Sequence, residues 1–378
     1  MTASDGMTYA PLGKPAPVCE KGEFVFAAVG LDHGHINGMC NGLTEAGAEL
    51  KWVYDDDPAK VAAFTGRFPA ARVAMSEDQV LQDAGVHLVA SAKVPADHAA
   101  WGTRVMRHGK DYFTDKPALT TMGQLAEARR VVAETGRKYA VYYSERVHVE
   151  SAVFAGQLVR EGAIGRVLQV IGLGPHRPGL ASRPPWFFER ERYGGILCDI
   201  GSHQAEQFLY FTGNTEARVV SSRVANFGHP EHPGLEDFGD CALAGANGAA
   251  GYFRVDWFTP DGLSVWGDGR MFILGTAGYL ELRKYVDVAR EATGDHIYLV
   301  DGRREHHLDV AGRVGYPFFG ELVRDCLERT ERAMGQAHAF KAAELCLEAE
   351  ALAERIALNG DNFGLGRPSH HGLGADRR

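Results

Sequence analysis

The chain has 378 residues, too many for one ordinary hydrophobic core, so its length indicates two domains. Hydrophobic residues make up 45% of it and charged residues 24%, a globular composition that excludes wholesale disorder. The net charge of −9, with no basic run, argues against nucleic-acid binding. No apolar run reaches the roughly 18 residues that a membrane span needs.

The ends of the chain and its cysteines bear on where the protein works. Residues 1–21 are polar and lack the apolar middle of a signal peptide, so we interpret them as a flexible arm. Residues 361–378 are predicted to be a flexible tail, in which His370 and His371 are too few to indicate a metal site. The six cysteines are scattered without a C-x-x-C pair, which favours reduced thiols in a cytoplasmic protein over disulfides or zinc.

Residues 22–145 alternate between short apolar runs and helical patterns. Strands are predicted at 23–30, 50–54, 86–90, 111–114 and 138–143. Helices are predicted at 36–46, 58–68, 96–108 and 122–135, with Asp57 as an N-cap and Gly47 and Gly109 at helix ends. This alternation predicts an α/β domain with a doubly wound parallel sheet, the Rossmann plan, in which ligands bind at the carboxyl ends of the strands.

The turn after the first strand departs from the dinucleotide-binding fingerprint G-x-G-x-x-G. Gly30 takes the first position, but Asp32 and His35 stand at the second and third. A carboxylate at the second position repels a pyrophosphate unless its side chain turns away. Gly34 offers another close approach of the backbone, and His33 or His35 offers a hydrogen bond to phosphate. The alternative interpretation is a plain strand–helix turn with solvated histidines.

The second predicted strand ends in an acidic run. Asp55 lies about 25 residues after Gly30, close to the spacing of the carboxylate that binds the adenosine ribose hydroxyls. Asp56 is its nearest rival, and Asp57 has the helix-cap role. Three carboxylates together would repel the 2′-phosphate of NADP, so the sequence favours NAD as the cofactor.

The fourth predicted strand ends in Thr-Asp-Lys-Pro at 114–117. A lysine at the carboxyl end of a central strand points into the crevice where a nicotinamide would lie. There the ammonium of Lys116 could hydrogen-bond a substrate hydroxyl and favour its alkoxide, as hydride removal from an alcohol requires. A surface lysine before a turn is the alternative.

The stretch 194–203 contains an acid–base pair behind two glycines. Asp199 and His203 are four residues apart, so on a helix they share one face. A carboxylate beside an imidazole transfers protons at neutral pH, and we predict that Asp199 orients His203. Gly194 and Gly195 allow a sharp turn or a close approach to a ligand.

Together, D-K-P at 115–117 and G-G-x-x-x-D-x-G-x-H at 194–203 resemble the signatures of the glucose–fructose oxidoreductase / inositol dehydrogenase / MocA (Gfo/Idh/MocA) family. Residues 94–98, 162–166 and 275–278 are similar to further family motifs, so the resemblance covers nearly the whole chain. It implies that Lys116, Asp199 and His203 are catalytic and that the 94–98 loop lies near the nicotinamide. We assign four residues of these loops to the cofactor site: Lys93, Pro95, His98 and Asp115.

Residues 146–360 show a different pattern, in which strands follow one another without helices between them. After a helix at 150–161, strands are predicted at 166–172, 217–224, 240–244, 251–258, 271–274, 279–282 and 297–300. They predict an α+β domain with a large, mostly antiparallel open sheet, whose free face favours a homodimer or homotetramer. Helices are predicted at 318–334 and 340–358, with five buried residues: Leu322, Leu327, Leu345, Leu352 and Ile356.

A long loop rich in Gly and Pro spans residues 172–186. Such loops often line substrate pockets, where Trp186 could stack on a sugar and His176 or Arg177 could bind hydroxyls. A structural crossover is an equal alternative. The histidines at 229, 232, 306 and 307 fit solvated loops better than a metal site.

Three functions are compatible with these patterns. The first is an NAD-dependent dehydrogenase for a secondary alcohol of a sugar, sugar derivative or inositol-like polyol, with His203 as the general base and Lys116 holding the alcohol oxygen. The second uses tightly bound NAD transiently, for glycoside cleavage or sugar–sugar redox. The third is a non-catalytic sugar or NAD sensor, which the altered fingerprint favours and the retained Lys116 and His203 disfavour.

Overall fold

The computed structural model describes residues 16–357, which form two sheets with their helices. Most of the predicted N-terminal arm, the whole predicted tail with His370 and His371, and the last residue of the second predicted C-terminal helix lie outside the described residues. Among residues 16–357, no helix is both long enough and apolar enough to cross a bilayer. The six cysteines are free thiols, and five of them are buried.

The N-terminal unit is the predicted doubly wound sheet. Its elements are β1 Val25–Leu31, α1 His35–Glu45, β2 Glu49–Tyr54, α2 Pro58–Arg67, β3 Arg72–Val73, α3 Glu77–Gln82, β4 Leu88–Ala92, α4 His98–Arg107, β5 Asp111–Thr114, α5 Met122–Thr135 and β6 Tyr139–Val141. All strands are parallel in the order β3-β2-β1-β4-β5-β6, so the direction of winding reverses between β1 and β4. The short β3 and α3 had no clear sequence signal. The crevice at this reversal is the expected ligand site of such sheets.

Local sequence explains how these elements begin and end. The carboxylate of Asp57 accepts a hydrogen bond from the backbone N–H of Ala59 at 2.8 Å, and Pro58 opens α2, as predicted. Strand β1 is buried along its whole length, which explains its unbroken apolar run. The predicted helix at 96–108 begins with a separate 3₁₀ turn, Pro95–Asp97, before α4.

The second unit is built on a nine-stranded sheet. Its elements are α6 Ser144–Val147, α7 Glu150–Arg160, β7 Val167–Pro175, α8 Arg190–Tyr193, α9 Ile196–Asp199, α10 Gly201–Thr212, β8 Ala217–Ala225, β9 Phe238–Gly245, β10 Ala250–Asp256, β11 Arg270–Gly275, β12 Gly278–Arg283, β13 His296–Asp301, β14 Glu305–Asp309, α11 Pro317–Glu328, α12 Gln336–Leu352 and β15 Glu354–Arg355. The order is β14-β13-β12-β11-β7-β10-β9-β8-β15. Only the β7–β10 and β8–β15 pairs are parallel, so the predicted mostly antiparallel sheet is confirmed.

The C-terminal helices are shorter than predicted. Helix α11 ends where Arg329 takes a left-handed conformation (φ 60°), and α12 ends at Leu352, before the two-residue strand β15. The predicted burial is confirmed for Leu322 and Leu345 but wrong for two residues: the exposed fractions are 39% for Leu327 and 67% for Leu352. Ile356 is only partly buried, because its backbone joins the edge of the sheet at β8.

Helix α11 packs on the N-terminal unit rather than on the large sheet. The ring of Phe319 lies so close to Gly42 of α1 that an added Cβ would come within 2.4 Å of it. Arg329 binds both carboxylate oxygens of Asp111 at the start of β5, at 2.6 and 2.8 Å. The two units therefore share a core as well as the cleft between them.

One face of the large sheet is covered by helices, and the opposite face is open. Tyr252, Phe272, Leu274 and Tyr279 point away from the helices and are exposed. Tyr252 and Phe272 both pair with Ile171 of the central strand β7, so their side chains form one apolar row across the face. A row of this kind is typical of a surface that associates with another copy.

We expect the purified protein to be a dimer or tetramer that associates through this face. The substitution Phe272→Glu places a charge in the apolar row and should shift the population toward smaller species in light scattering. The matched control is Met75→Glu, which changes an equally apolar but more exposed residue near the far edge of the N-terminal sheet and should leave the assembly unchanged. A monomeric wild-type protein would contradict the expectation.

Candidate active site

Loops from both units meet in a cleft at the carboxyl ends of β1, β4 and β5. The cleft holds about 330 Å³ of space not filled by atoms. Of the predicted site residues, those that line it are His33, Lys93, Pro95, Asp115, Lys116, Trp186 and Asp199. Three further residues line it that the sequence analysis did not assign: Arg183, Phe187 and Trp257.

A buried ion pair joins the two walls of the cleft. Nζ of Lys116, just after β5, donates to Oδ1 of Asp199, at the end of α9, over 2.5 Å. The predicted pairing of Asp199 with His203 is wrong in this structure. The reason is that the lysine from the other unit occupies the carboxylate, while the chain tightens at Ile200, whose carbonyl accepts the N–H of His203 at 3.2 Å.

The two glycines before α9 have a structural explanation. Gly194 and Gly195 adopt φ values of 92° and 90°, which other residues rarely take. A Cβ on Gly195 would lie 2.2 Å from a carboxylate oxygen of Glu350, and that oxygen accepts the N–H of Leu197 at 2.8 Å. The glycines therefore let a buried carboxylate reach the first turn of α9, the helix that ends at Asp199.

A second carboxylate completes this anchor. Glu236 accepts the N–H of Ile196 at 3.0 Å, and Arg190 lies between it and Glu350 at 2.9 and 3.0 Å. Carboxylates stabilise a helix N-terminus, which carries a partial positive charge. Burial, with the charge of Glu236, raises the pKa of Glu350 to about 8.

Asp115 lies between the side chains of His33 and His35, next to Lys116. Asp115 Oδ1 accepts from Nδ1 of His35 at 2.8 Å and from the N–H of Lys116 at 2.7 Å, and its Oδ2 lies 3.3 Å from Nδ1 of His33. Burial is outweighed by the two histidines, which hold the pKa of Asp115 well below its usual value. His35, which stands at the third glycine position of the fingerprint, therefore has its hydrogen-bond partner inside the protein.

These three side chains are of types that ligate metals, and their donor atoms lie within 4.8 Å of one another. Burial holds the pKa of His33 well below its ordinary value, and the charges of His35, Lys116 and Arg183 lower it further. The positive charges of Lys116 and Arg183 near His33 repel a bound cation as well. We interpret the group as a hydrogen-bonded cluster.

The two aspartates of the nucleotide-binding prediction lie at the ends of β1 and β2. Asp32 turns to Lys60, with 2.6 Å between Oδ1 and Nζ, so its charge is balanced. Asp55 accepts the N–H of Leu31 at 2.7 Å and that of Asp57 at 2.9 Å, and this fixes its carboxylate at the strand ends. Its rival Asp56 instead accepts the hydroxyl of Tyr54.

The turn from Gly30 to Gly34 joins β1 to the start of α1. Gly30 has φ 79°, and a Cβ there would lie 2.2 Å from the side chain of Lys93. The first turn of α1 contains no acidic residue, and its N–H groups donate to Nδ1 and the carbonyl of His33 and to the carbonyl of Gly34. A helix N-terminus carries a partial positive charge and therefore attracts anions.

Two predicted cofactor residues mainly fix loops. Nε2 and Nδ1 of His98 contact the carbonyl oxygens of Lys93 and Pro117 at 2.7 and 2.8 Å. His98 thereby ties the loop of Lys93 to the loop of Lys116. Nζ of Lys93 pairs with Glu77 at 2.8 Å, so its charge is balanced outside the cleft wall.

In the loop after β7, some residues have a structural role and others line the cleft. Arg177 donates to the carbonyls of Pro260 and Leu263 at 2.9 and 2.8 Å, which ties that segment to the loop. His176 packs against Trp266 with 4.4 Å between ring centroids, and burial lowers its pKa to about 4. Trp186 reaches the cleft, as predicted for a substrate contact.

Arg183 is the charged cleft residue that the sequence analysis did not assign. Its guanidinium lies 4.4 Å from the ring centroid of Phe187 and 4.9 Å from that of Trp257, and its Nε donates to the carbonyl of Pro178. Arginine stacks readily on aromatic rings. Its position inside the Gly/Pro-rich loop was the available signal, whereas Trp257 comes from the end of a distant strand and gave none.

His203 lies behind the cleft, at the start of α10. The side chain is buried, and its Nδ1 has no hydrogen-bond partner among residues 16–357. Burial holds the pKa of His203 well below its ordinary value. A neutral imidazole near Lys116 has a nitrogen available to accept a proton.

The anchor at α9 generates a prediction on pH and stability. Because the folded protein keeps a proton on Glu350 that the unfolded chain releases above about pH 4.5, the free energy of unfolding should fall as the pH rises toward 8. Glu350→Gln should reduce the fall between pH 6 and pH 8 by on the order of 1–2 kcal/mol. Denaturant titrations at the two pH values measure it.

Glu344→Gln is the control for this measurement, since it lies on the same helix. The hydrogen bond from Arg129 outweighs burial there and lowers the pKa of Glu344, so its contribution changes only below about pH 4.5. An equal pH dependence in the wild type and Glu350→Gln would contradict the prediction.

Comparisons with known proteins agree with this architecture. The model of an oxidoreductase family with an NAD-binding Rossmann fold matches residues 27–143, and the GFO/IDH/MocA C-terminal domain matches residues 153–281. A crystal structure from Erwinia carotovora atroseptica SCRI1043, provisionally assigned as an oxidoreductase, is 56% identical, with a TM-score of 0.86. The match covers 89% of this chain and 100% of that one.

Two curated relatives match over shorter stretches. D-xylose dehydrogenase of Paenarthrobacter nicotinovorans is 27% identical over 38% of each chain. The scyllo-inositol 2-dehydrogenase (NAD(+)) of Bacillus subtilis is 27% identical over 54% of this chain and 57% of its own. The chain thus matches less than two thirds of the length of either relative. Since the family models and the structural match span both units, the chain belongs to the Gfo/Idh/MocA family of oxidoreductases.

Proposed function

We propose that the chain is an NAD-dependent cytoplasmic dehydrogenase for a secondary alcohol of a sugar, sugar derivative or inositol-like polyol. The observation that carries the proposal is the buried pair of Lys116 and Asp199 in the cleft between the two units. An ammonium held in this way can donate to a substrate oxygen. The names of the two dehydrogenase relatives support the class of substrate.

The cofactor would be held by four features of the N-terminal unit. The Gly30 turn and the partial positive charge at the start of α1 suit its phosphates, Asp55 suits its ribose, and the loop of Lys93 and Pro95 forms the adjoining cleft wall. Bound NAD would supply the acceptor for the hydride that leaves the alcohol carbon. NAD rather than NADP is favoured because Asp55, Asp56 and Asp57 would repel a 2′-phosphate.

Lys116 and Asp199 act on the alcohol oxygen. The ammonium donates a hydrogen bond to it and stabilises the negative charge that develops as the hydroxyl proton leaves. Asp199 holds the ammonium in place through a charge-assisted hydrogen bond. This role for Asp199 replaces the orienting of His203 that its spacing had suggested.

His203 is the general base in this proposal. It accepts the hydroxyl proton as the carbon–hydrogen bond breaks, so that the alcohol becomes a ketone and the imidazole becomes an imidazolium. In the reverse direction the imidazolium returns the proton. Hydrogen bonds of a catalytic base often tighten only with substrate bound, so its place behind the cleft is compatible with this role.

Activity should depend on these residues. With NAD and a panel that includes scyllo-inositol, myo-inositol and D-xylose, we expect reduction of NAD at 340 nm for at least one substrate. His203→Asn and Lys116→Met should each lower kcat by about 10²–10⁴-fold. His108→Ala, at an exposed helix end, should match the wild type. Undiminished turnover by His203→Asn would refute the assignment of the base.

NAD binding provides a second test, which also addresses a sensing role. In calorimetry we expect NAD to bind more tightly than NADP, and Asp55→Asn to weaken NAD binding about tenfold, or about 1.4 kcal/mol. Asp56→Asn is the matched control because it removes the neighbouring charge. Failure to bind NAD at millimolar concentration would favour a sensor, and product formed without net NADH would favour transient use of bound NAD.

A further inference from the structure

A second buried ion pair lies beside His203 and has no part in the proposed catalysis so far. Lys284, at the end of β12, donates through Nζ to Oε2 of Glu145 over 2.9 Å. Both side chains are almost completely buried. Glu145 belongs to α6, the first helix of the second unit after the last strand of the Rossmann sheet, so the pair links this helix to the large sheet. Burying two charges is costly, and such a pair invites a functional explanation.

Contacts on both sides connect Glu145 to His203. The side-chain amide of Gln204, the residue next to His203, donates to Glu145 Oε2 at 2.8 Å. Tyr143, two residues before Glu145, meets the His203 ring edge-on with 6.4 Å between centroids. The carboxylate and the imidazole are therefore fixed in one compact group.

Three buried atoms in this group are unsatisfied among the described residues, and Gln204 Oε1 is one of them. Glu145 Oε1 and His203 Nδ1 each lack a hydrogen-bond partner within the described part of the chain. Buried polar atoms are nearly always bonded, to protein or to an ordered water. One water that accepts from His203 Nδ1–H and donates to Glu145 Oε1 would satisfy these two atoms.

The charges around His203 also indicate that Glu145 is its electrostatic partner. Lys116, His35 and His176 all lower the pKa of His203, as burial does, whereas Glu145 raises it. The charge of Asp199 is balanced by Lys116 at 2.5 Å. Lys284 outweighs burial and lowers the pKa of Glu145 to about 2, so Glu145 is ionised at neutral pH.

We propose that Glu145 is the positioning residue for His203: through one water it binds Nδ1–H, leaves Nε2 free to take the substrate proton, and stabilises the imidazolium that results. This inference rests on the proposed function for the role of His203. Its geometry does not depend on which alcohol is oxidised. Lys284 and Gln204 hold the carboxylate in place.

The wild-type protein tests the tautomer directly. With histidine labelled in the ring by ¹³C and ¹⁵N, the His203 signals are identified by their absence from the His203→Asn spectrum. We expect the neutral ring to carry its proton on Nδ1, because a carboxylate-linked water must accept a hydrogen bond there. A proton on Nε2 would overturn the proposal without any change to Glu145.

Glu145→Gln tests the electrostatic part. Loss of the negative charge should make His203 bind its proton at least about tenfold more weakly in the NMR titration. Glu145→Asp keeps the charge and should recover most of this affinity. The matched control is Asp111→Asn, which removes another buried carboxylate paired with an arginine, at the opposite end of β5, and should not alter the titration.

The outcomes separate this inference from the proposed function. An unchanged His203 titration in Glu145→Gln would show that Glu145 is only structural, whether or not the protein is a dehydrogenase. A weakened titration with no dehydrogenase activity in the wild type would leave the His203–Glu145 linkage in place and refute the function. Where activity is found, Glu145→Gln should also shift the pH profile of kcat/KM, and Asp111→Asn should not.

Discussion

The buried contact between Lys116 and Asp199 is the interaction on which the rest of the site depends. One partner follows a strand of the Rossmann sheet and the other ends a helix of the second unit, so the ion pair forms only when the two units are packed together. Removing either partner of such a pair leaves an uncompensated buried charge, at a typical cost of about 3–5 kcal/mol. The same contact therefore joins the two walls of the cleft and fixes the ammonium where it could donate to a substrate oxygen.

Each partner of that contact is positioned by carboxyl groups of further residues. On the Lys116 side, Asp115 accepts the backbone N–H of the lysine and is itself fixed by His35. On the Asp199 side, Glu350 and Glu236 bind the first turn of α9, and the positive φ of the preceding glycines makes room for them. The side chains that line the cleft are thus positioned by a second set of side chains that do not line it or line it less directly. A substitution in this second set would act on the cleft by moving the backbone that carries Lys116 or Asp199.

Sequence patterns predicted those features that depend on local chemistry. Alternating apolar runs and helical patterns gave the parallel sheet, and the cap at Asp57 and the turn at Gly30 follow from residue types within a few positions. Helix ends were less predictable: the pattern that suggested burial for Leu352 continues past the point where the chain joins a sheet edge. That edge is formed by residues more than a hundred positions away.

The pairing of Asp199 shows where sequence reasoning stops at the site. Spacing of four identified two residues on one helical face, but it could not reveal that a lysine 83 positions earlier would take the carboxylate. The carboxylate beside His203 likewise comes from Glu145, whose partner Lys284 is 139 positions away. Neither pairing has a local signature, since both are set by the packing of elements that are far apart in the chain.

The altered nucleotide-binding turn can be understood as a set of compensated changes. Asp32 introduces a negative charge where a glycine is usual, and Lys60 balances it. His35 introduces a ring at the third glycine position, and Nδ1 of that ring bonds Asp115. Because both side chains have partners on neighbouring elements, the start of α1 keeps the partial positive charge that favours phosphate binding. The turn thus departs from the G-x-G-x-x-G fingerprint in residue types more than in the electrostatics at the helix start.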